Sequence, residues 1–138
     1  MTKIDFYILP TAGESAREQL ACRLAEKAWR LGHRVYIHTD HESQGRRLEQ
    51  LLWNFRPDAF VPHECGCANP APVCIAWGAD PGDHHEVLIL LGRQRPDFFS
   101  RFERLTEIVC QAADSLAASR ESWKFYQQRG YPLQSHRL

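Results

Sequence analysis

The residues of this chain that could bind a charged ligand are concentrated near its end, in the predicted helix 114–129. Leu116 and Trp123 fall near one stripe of that helix, and Arg120 and Lys124 lie four residues apart on the neighbouring face. An arginine can hold a carboxylate through two hydrogen bonds, and an aromatic wall can take an apolar side chain. The pattern fits a site for an acidic, hydrophobic peptide. An ordinary amphipathic helix with a solvated charged edge has the same spacing.

A second cluster of large side chains lies at a predicted corner between a helix and a strand. Trp53 closes the predicted helix 42–53, and Phe60 lies in a predicted strand at 59–61. Pro57 stops the helix between them. Aromatic residues at such corners usually belong to the core, but tryptophan and arginine close together are also enriched at binding hot spots. The sequence leaves both interpretations open.

Metal and thiol chemistry has one candidate site, formed by His63, Cys65 and Cys67, with Cys74 nearby. Structural zinc sites usually space paired cysteines by two or more residues, and no second pair is evident. We therefore expect no metal. The five cysteines are an odd number, so we expect free thiols rather than a disulfide framework.

Nucleotide binding and catalysis have little support in the sequence. The loop Thr11–Ser15 after the first predicted strand holds one glycine, without the glycine pattern of a dinucleotide fold or a phosphate loop. No spacing favours a cysteine–histidine nucleophile or a carboxylate dyad. We expect no cofactor. The alternative is a small-molecule or nucleotide-binding domain, with or without enzymatic activity, that uses this loop at the carboxyl edge of its sheet.

Alternating strand and helix signals predict the elements that position these residues. Short apolar runs predict strands at 4–9, 34–38, 59–61, 73–77, 87–91 and 107–110. Helical spacing predicts helices from 14 or 15 to 31, at 42–53, shortly after Pro96 and at 114–129, and the charged residues of the first, Arg17, Glu18 and Glu26 among them, should face water. Strand–helix–strand units give parallel strands with right-handed crossovers. The fold class is α/β: one domain over 1–138, a three-layer sandwich around a mostly parallel, Rossmann-like sheet, ending in a loosely ordered tail at about 131–138.

Composition limits the choice of partner and compartment. The chain has 17 basic and 17 acidic residues, which argues against a protein that grips a nucleic-acid backbone over its whole surface. No apolar run reaches transmembrane length, and no signal-peptide pattern is evident. We expect a cytoplasmic protein.

Three stretches together resemble the chi subunit family of bacterial DNA polymerase III. They are the opening IDFYIL, the pair Leu51-Leu52-Trp53 and Phe60-Val61-Pro62-His63 across a short linker, and the closing WKFYQQRGYPL. The resemblance covers nearly the whole chain, and it implies an α/β fold. It also implies a non-catalytic accessory subunit that links the clamp loader to single-stranded-DNA-binding protein by contacting the acidic, phenylalanine-ended tail of that protein.

The resemblance also implies roles for particular residues. The family's arginine matches Arg120, its next aromatic residue matches Trp123, and its corner residues match Trp53 and Phe60. In the family's site the C-terminal helix lies next to this corner, so the resemblance implies one pocket for the terminal phenylalanine of the tail, with walls from Leu116, Trp123, Trp53 and Phe60. A later lysine matches Lys124. The place of an earlier family lysine holds Leu116 or Ala117, which predicts a weaker electrostatic pull on the tail.

The same family binds a psi subunit, which connects it to the clamp loader. Three phenylalanines, Phe98, Phe99 and Phe102, are the candidates for that contact, and a helix core is the alternative for each.

Overall fold

The computed structural model describes residues 1–58, 60–66, 71–78 and 80–138, and within them strands and helices alternate along most of the chain. The strands are β1 (Lys3–Ile8), β2 (Val35–His38), β3 (His63–Cys65), β4 (Val73–Ala76), β5 (Val87–Leu90), β6 (Arg104–Val109) and β7 (Leu133–Arg137). The helices are α1 (Glu14–Arg30), α2 (Glu42–Asn54) and α3 (Ala113–Gln128), with a short 3-10 helix at Asp97–Arg101. In this part of the chain, no helix is both long and apolar enough to span a membrane.

The strands form one sheet in the order β3-β4-β2-β5-β6-β1-β7, and every neighbouring pair is parallel. Alternate side chains of a strand point to opposite faces. Val35 and Ile37 of β2 therefore pack with α1 and α2, whereas Tyr36 packs in the core beneath α3. The predicted three-layer α/β fold with a mostly parallel sheet is confirmed.

Two predicted element boundaries are wrong. The strand predicted at 59–61 lies further along, at His63–Cys65, where Cys65 reaches the core while Phe60 stays exposed. Ala59 is outside the described residues. After Pro96 the chain makes only a short 3-10 helix, and β6 begins at Arg104 because it pairs from its first residue with β1 and β5.

The C-terminal segment is ordered, contrary to the tail predicted at about 131–138. Residues 133–137 form β7, which pairs in parallel with β1 from Ile4 to Ile8. His136 Nε2 also lies 3.0 Å from Asp5 Oδ1. The segment was missed because an edge strand can be mostly polar, and its sequence LQSHR has no apolar alternation.

The cysteines differ in part from the expected set of free thiols. Cys22, Cys65 and Cys110 are free and buried. Cys74 is disulfide-bonded, so the expectation is wrong for this residue. An odd number of cysteines leaves at least one thiol free, but it does not exclude one bond. Cys67 lies outside the described residues.

Charged residues of α1 that were expected to face water are buried. Arg17 is 3% exposed, and its guanidinium donates to the carbonyl oxygens of Leu91 at 2.8 Å and Ile108 at 3.0 Å. It also pairs with Glu14 at 2.7 Å. These bonds tie α1 to the carboxyl ends of β5 and β6, so a side chain that looks like part of a solvated helix face is a structural anchor.

Two further buried charges on α1, Glu18 and Glu26, join the two helices of this layer. Glu18 lies 3.0 Å from Arg47 of α2, and Glu26 lies 2.8 Å from Arg56 just beyond α2. Because both carboxylates are buried, the end of α2 that carries Trp53 is held against α1.

Arg17→Met should destabilise the protein by about 2–4 kcal/mol, because two buried carbonyl groups lose their donors. Urea denaturation followed by circular dichroism would measure the change. The matched control is Arg23→Met on the exposed side of α1, which we expect to alter stability by about 0.5 kcal/mol or less. Equal effects of the two substitutions would contradict an anchoring role for Arg17.

Candidate partner-binding surfaces

The four predicted peptide-binding residues of α3 lie together on its outer side, and they are referred to here as the α3 surface. Leu116 and Trp123 are half-buried, while Arg120 and Lys124 are exposed. The Trp123 ring packs 5.2 Å from the ring of Phe6 in β1, so the indole is held against the core and is only partly exposed. The helical spacing predicted this juxtaposition correctly. The role of these residues in binding stays a prediction.

The cations of the α3 surface have no anionic partner among the described residues, unlike several arginines nearby. Arg93 pairs with Asp114 at 3.2 Å, and Arg101 pairs with Asp80 at 3.4 Å. Arg120 forms no such ion pair. Its charge is therefore available to a ligand, and it lies beside the half-exposed Trp123.

The rotation of α3 is set by a buried tyrosine on its inner side. Tyr126 is fully buried, and its O–H donates to Glu107 Oε2 of β6 at 2.6 Å. Burial raises the pKa of Glu107, while the hydrogen bond from Tyr126 and the charge of Arg95 act in the opposite direction. This contact holds the helix so that Arg120 is exposed, while Trp123 lies at the margin of the core.

The two corner residues, Trp53 and Phe60, form a separate aromatic cluster that is referred to here as the corner surface. Trp53 is 52% exposed and Phe60 is 61% exposed, with their ring centroids 6.4 Å apart. Trp53 also packs 4.6 Å from the ring of His63 at the start of β3. The hypothesis that these aromatics belong to the core is therefore wrong.

The corner surface does not join the α3 surface, so the single pocket implied by the resemblance is wrong. Trp53 lies near the end of α2, which packs on β3 and β4. Helix α3 packs on β6 and β7, on the opposite face of the sheet. Strands β3 and β6 are four positions apart in the sheet, or about 19 Å at a spacing of about 4.8 Å. The two surfaces also lie on opposite faces of the sheet, so they cannot together form one pocket for a terminal phenylalanine.

The three phenylalanines considered for the psi contact are core residues. Phe99 and Phe102 are 8% and 2% exposed, and Phe98 is half-buried against Tyr36 at 5.7 Å. These three rings cover one face of the sheet, and little of their surface is left for a partner.

Within the described residues, the geometry gives little support to a metal site or to a nucleotide site at the carboxyl edge of the sheet. No group of three histidine, cysteine or acidic side chains is close enough there to hold a metal, and Cys67 falls outside that range. The loop Thr11–Ser15 is exposed, and the cavity beside Arg17 at this sheet edge measures about 20 Å³. A nucleotide needs several hundred. Arg17 itself is engaged with backbone oxygens.

A larger cleft, of about 670 Å³, lies at the amino ends of β1, β5 and β6, against the C-terminal half of α1. Its walls include Lys3, Tyr7, Leu24, Lys27 and Arg104. None of the residues of the α3 surface or the corner surface lines it, so this cleft does not belong to the predicted peptide site.

Sequence reasoning missed two arginines beside α3. Arg95, which follows β5, lies 3.4 Å from the centroid of the Phe125 ring, and Arg129 at the end of α3 lies 3.6 Å from it. Phe125 falls outside the apolar stripe of the helix, and Arg95 is thirty residues away in sequence. The available signal was a large aromatic residue outside the predicted stripe and four residues before an arginine, although Phe125 also packs against Phe99 at 5.9 Å.

The fold and these surfaces define an α/β domain with two exposed aromatic regions, one of them basic. A similar arrangement of the backbone occurs in the crystal structure of T4 UvsW, with a TM-score of 0.65 and 11% identity over 99% of this chain and 41% of that one. This likeness concerns the fold alone.

The family is shown by sequence. Residues 1–134 match the model of the family described as DNA polymerase III chi subunit, HolC. The chain is 46% identical to DNA polymerase III subunit chi of Pseudomonas aeruginosa, covering 100% of this chain and 98% of that protein. It is 34% identical to the subunit chi of Escherichia coli, covering 96% of each. The chain belongs to the DNA polymerase III chi subunit family, a family of replication accessory subunits.

Glu107→Gln should stabilise the protein increasingly as pH rises. Burial raises the folded-state pKa of Glu107 above its ordinary value of 4.5, so the native state binds this proton more tightly than the unfolded chain. The contribution of Glu107 to stability therefore falls as pH rises from about that ordinary value through the raised one. A glutamine does not titrate.

Urea denaturation from pH 4 to pH 8 would measure the stability difference between Glu107→Gln and the wild type. Tyr126→Phe is the companion variant, because it removes a hydrogen bond that lowers the pKa of Glu107 and should steepen the pH dependence. A stability difference that stays constant from pH 4 to pH 8 would disprove a raised pKa of Glu107 in the folded state.

Proposed function

We propose that this protein is a non-catalytic accessory subunit of DNA polymerase III, acting in the cytoplasm, that links the clamp-loader complex to single-stranded-DNA-binding protein. It does so by capturing the acidic C-terminal tail of that protein on the α3 surface. The observation that carries the proposal is the exposed Arg120, free of ion pairs among the described residues, next to the half-exposed Trp123. Membership of the chi family supports the choice of partner.

The capture uses charge and apolar contact together. Arg120, assisted by Lys124, takes carboxylates of the tail through charge-assisted hydrogen bonds. Trp123 and Leu116 provide the wall for the terminal phenylalanine. A short peptide on so shallow a surface should bind at about micromolar strength, about 8 kcal/mol. Salt should weaken binding, because exposed charges are screened.

The corner surface is the proposed contact for the clamp-loader side, through the psi subunit. An adaptor must hold two partners at once, and a surface on the other face of the sheet leaves α3 free for the tail. Trp53 and Phe60 are exposed aromatic residues of the kind that act as binding anchors. This replaces the assignment of Trp53 and Phe60 to the tail pocket and of Phe98, Phe99 and Phe102 to psi.

Arg120→Ala should weaken binding of a fluorescent acidic, phenylalanine-ended tail peptide by about tenfold or more, because a charge-assisted contact is lost. Fluorescence anisotropy would measure affinity, and a melting curve would confirm unchanged stability. Trp53→Ala is the control at the other end of the sheet, and it should bind the peptide like the wild type. If Trp53→Ala loses the peptide and Arg120→Ala does not, the site lies on the corner surface instead.

A second candidate function is a small-molecule or nucleotide-binding domain. The cleft of about 670 Å³ favours it, since small-molecule sites have volumes in this range. A thermal-shift screen with nucleotides and common metabolites separates the two candidates. Under the adaptor proposal the melting temperature stays constant with these compounds and rises with the tail peptide.

A further inference from the structure

Phe125 of α3 lies between two guanidinium groups. The Cζ atom of Arg95 is 3.4 Å from the Phe125 ring centroid, and the Cζ atom of Arg129 is 3.6 Å from it. Two guanidinium groups at such similar heights would overlap if they shared a face, so they stack on opposite faces of the ring. Arg95, Phe125 and Arg129 are referred to here as the arginine stack.

The stack is held in place by its surroundings. Arg95 also lies 5.2 Å from the ring centroid of Tyr126 and 5.7 Å from that of Phe99. Arg129 Nη1 donates to the carbonyl oxygen of Phe125 at 3.2 Å. Ordered guanidinium groups lose less conformational entropy when they bind an anion, so this arrangement is prepared for one.

The charge of the stack is only partly balanced within the protein. Among the described residues, neither arginine forms an ion pair of the kind seen for Arg93 with Asp114. Arg95 acts on Glu107 at longer range and lowers the pKa of that carboxyl. Arg129 is exposed at the end of α3. Arg95 is half-buried and hydrogen-bonded to the Tyr126 side chain, so the guanidinium edge that remains available to an anion from solution is that of Arg129.

The geometry favours carboxylates over nucleic acid. Single-stranded nucleic acid binds by stacking bases on open aromatic faces, and both faces of Phe125 are occupied. The chain has no excess of positive charge to hold a phosphate backbone. A guanidinium edge pairs with a carboxylate through two parallel hydrogen bonds. The ligand that fits is an acidic peptide segment.

The position of the stack relates it to the α3 surface. At about 100° per residue, Arg129 lies on the opposite flank of α3 from Arg120, about 13 Å further along the axis, and Lys124 lies between them on the outer side. A path over the outside of the helix is about 20 Å long, which an extended peptide covers in about six residues.

We infer that the arginine stack binds acidic residues about five or six positions before the C-terminal residue of a partner tail whose end is held by Arg120 and Trp123. This inference rests on the proposed capture of the tail by the α3 surface. The tail then crosses α3 and is bound at both flanks.

The test uses the full chain and two fluorescent peptides that share the same phenylalanine end. One carries aspartates five and six positions before the end, and the other carries asparagines there. Arg129→Gln should weaken binding of the aspartate peptide by about two- to fivefold, as expected for loss of an exposed ion pair. The same variant should bind the asparagine peptide with unchanged affinity. Arg23→Gln, on exposed α1, makes the same change in net charge and should bind both peptides like the wild type.

The outcomes separate this inference from the proposed function. If Arg129→Gln binds the aspartate peptide like the wild type while Arg120→Ala loses it, the inference is overturned and tail capture stands. An equal loss for both peptides also overturns it, because the effect then does not depend on the upstream carboxylates. If Arg129→Gln weakens only retention on single-stranded DNA, the stack serves nucleic acid. If the wild type binds neither peptide, tail capture itself fails.

Discussion

The buried guanidinium of Arg17 is the interaction on which much of the rest depends. It joins the first helix to the ends of two central strands through the carbonyl groups of Leu91 and Ile108. A buried cation is tolerated only when its donors are satisfied, so α1 has one acceptable position on the sheet. The neighbouring carboxylates Glu18 and Glu26 then fix α2 against α1. The position of the corner surface follows from that chain of contacts.

The same guanidinium fills part of the carboxyl edge of the sheet with a side chain of the protein itself. In open parallel sheets, that edge usually provides the crevice for a ligand. Here Arg17 supplies the positive charge at this edge, and its guanidinium group is hydrogen-bonded to backbone carbonyl oxygens. The exposed aromatic residues instead lie on a helix exterior and at a helix–strand corner, and the larger cleft lies at the amino ends of the strands.

The sequence predicted those features that depend on neighbours in the chain. Continuous apolar runs such as VLILL identify strands that are buried on both faces, and helical spacing correctly placed Leu116, Arg120, Trp123 and Lys124 together. Features that depend on contacts between distant segments of the chain were not predicted. Arg17 looks solvated until its acceptors, more than seventy residues away, are known. Polar residues 133–137 give no strand signal, because their order comes from β1.

The candidate site shows the same division. Trp53 and Phe60 were placed beside Trp123 because a resemblance conveys which residues matter but not the strand order that separates them. The Arg95 contact with Phe125 was missed for the converse reason, since two distant segments meet there without any shared spacing.

Strand β7 has a consequence for how this protein tolerates damage. Its residues 133–137 cover the outer edge of β1, a six-residue strand with Ile4 and Phe6 in the core. Loss of this strand would open a row of unpaired amide and carbonyl groups on β1, which is a template for pairing between molecules. The polar sequence LQSHR therefore protects the protein against self-association. Loss of these residues would cause molecules to associate through β1 before it disrupted the core.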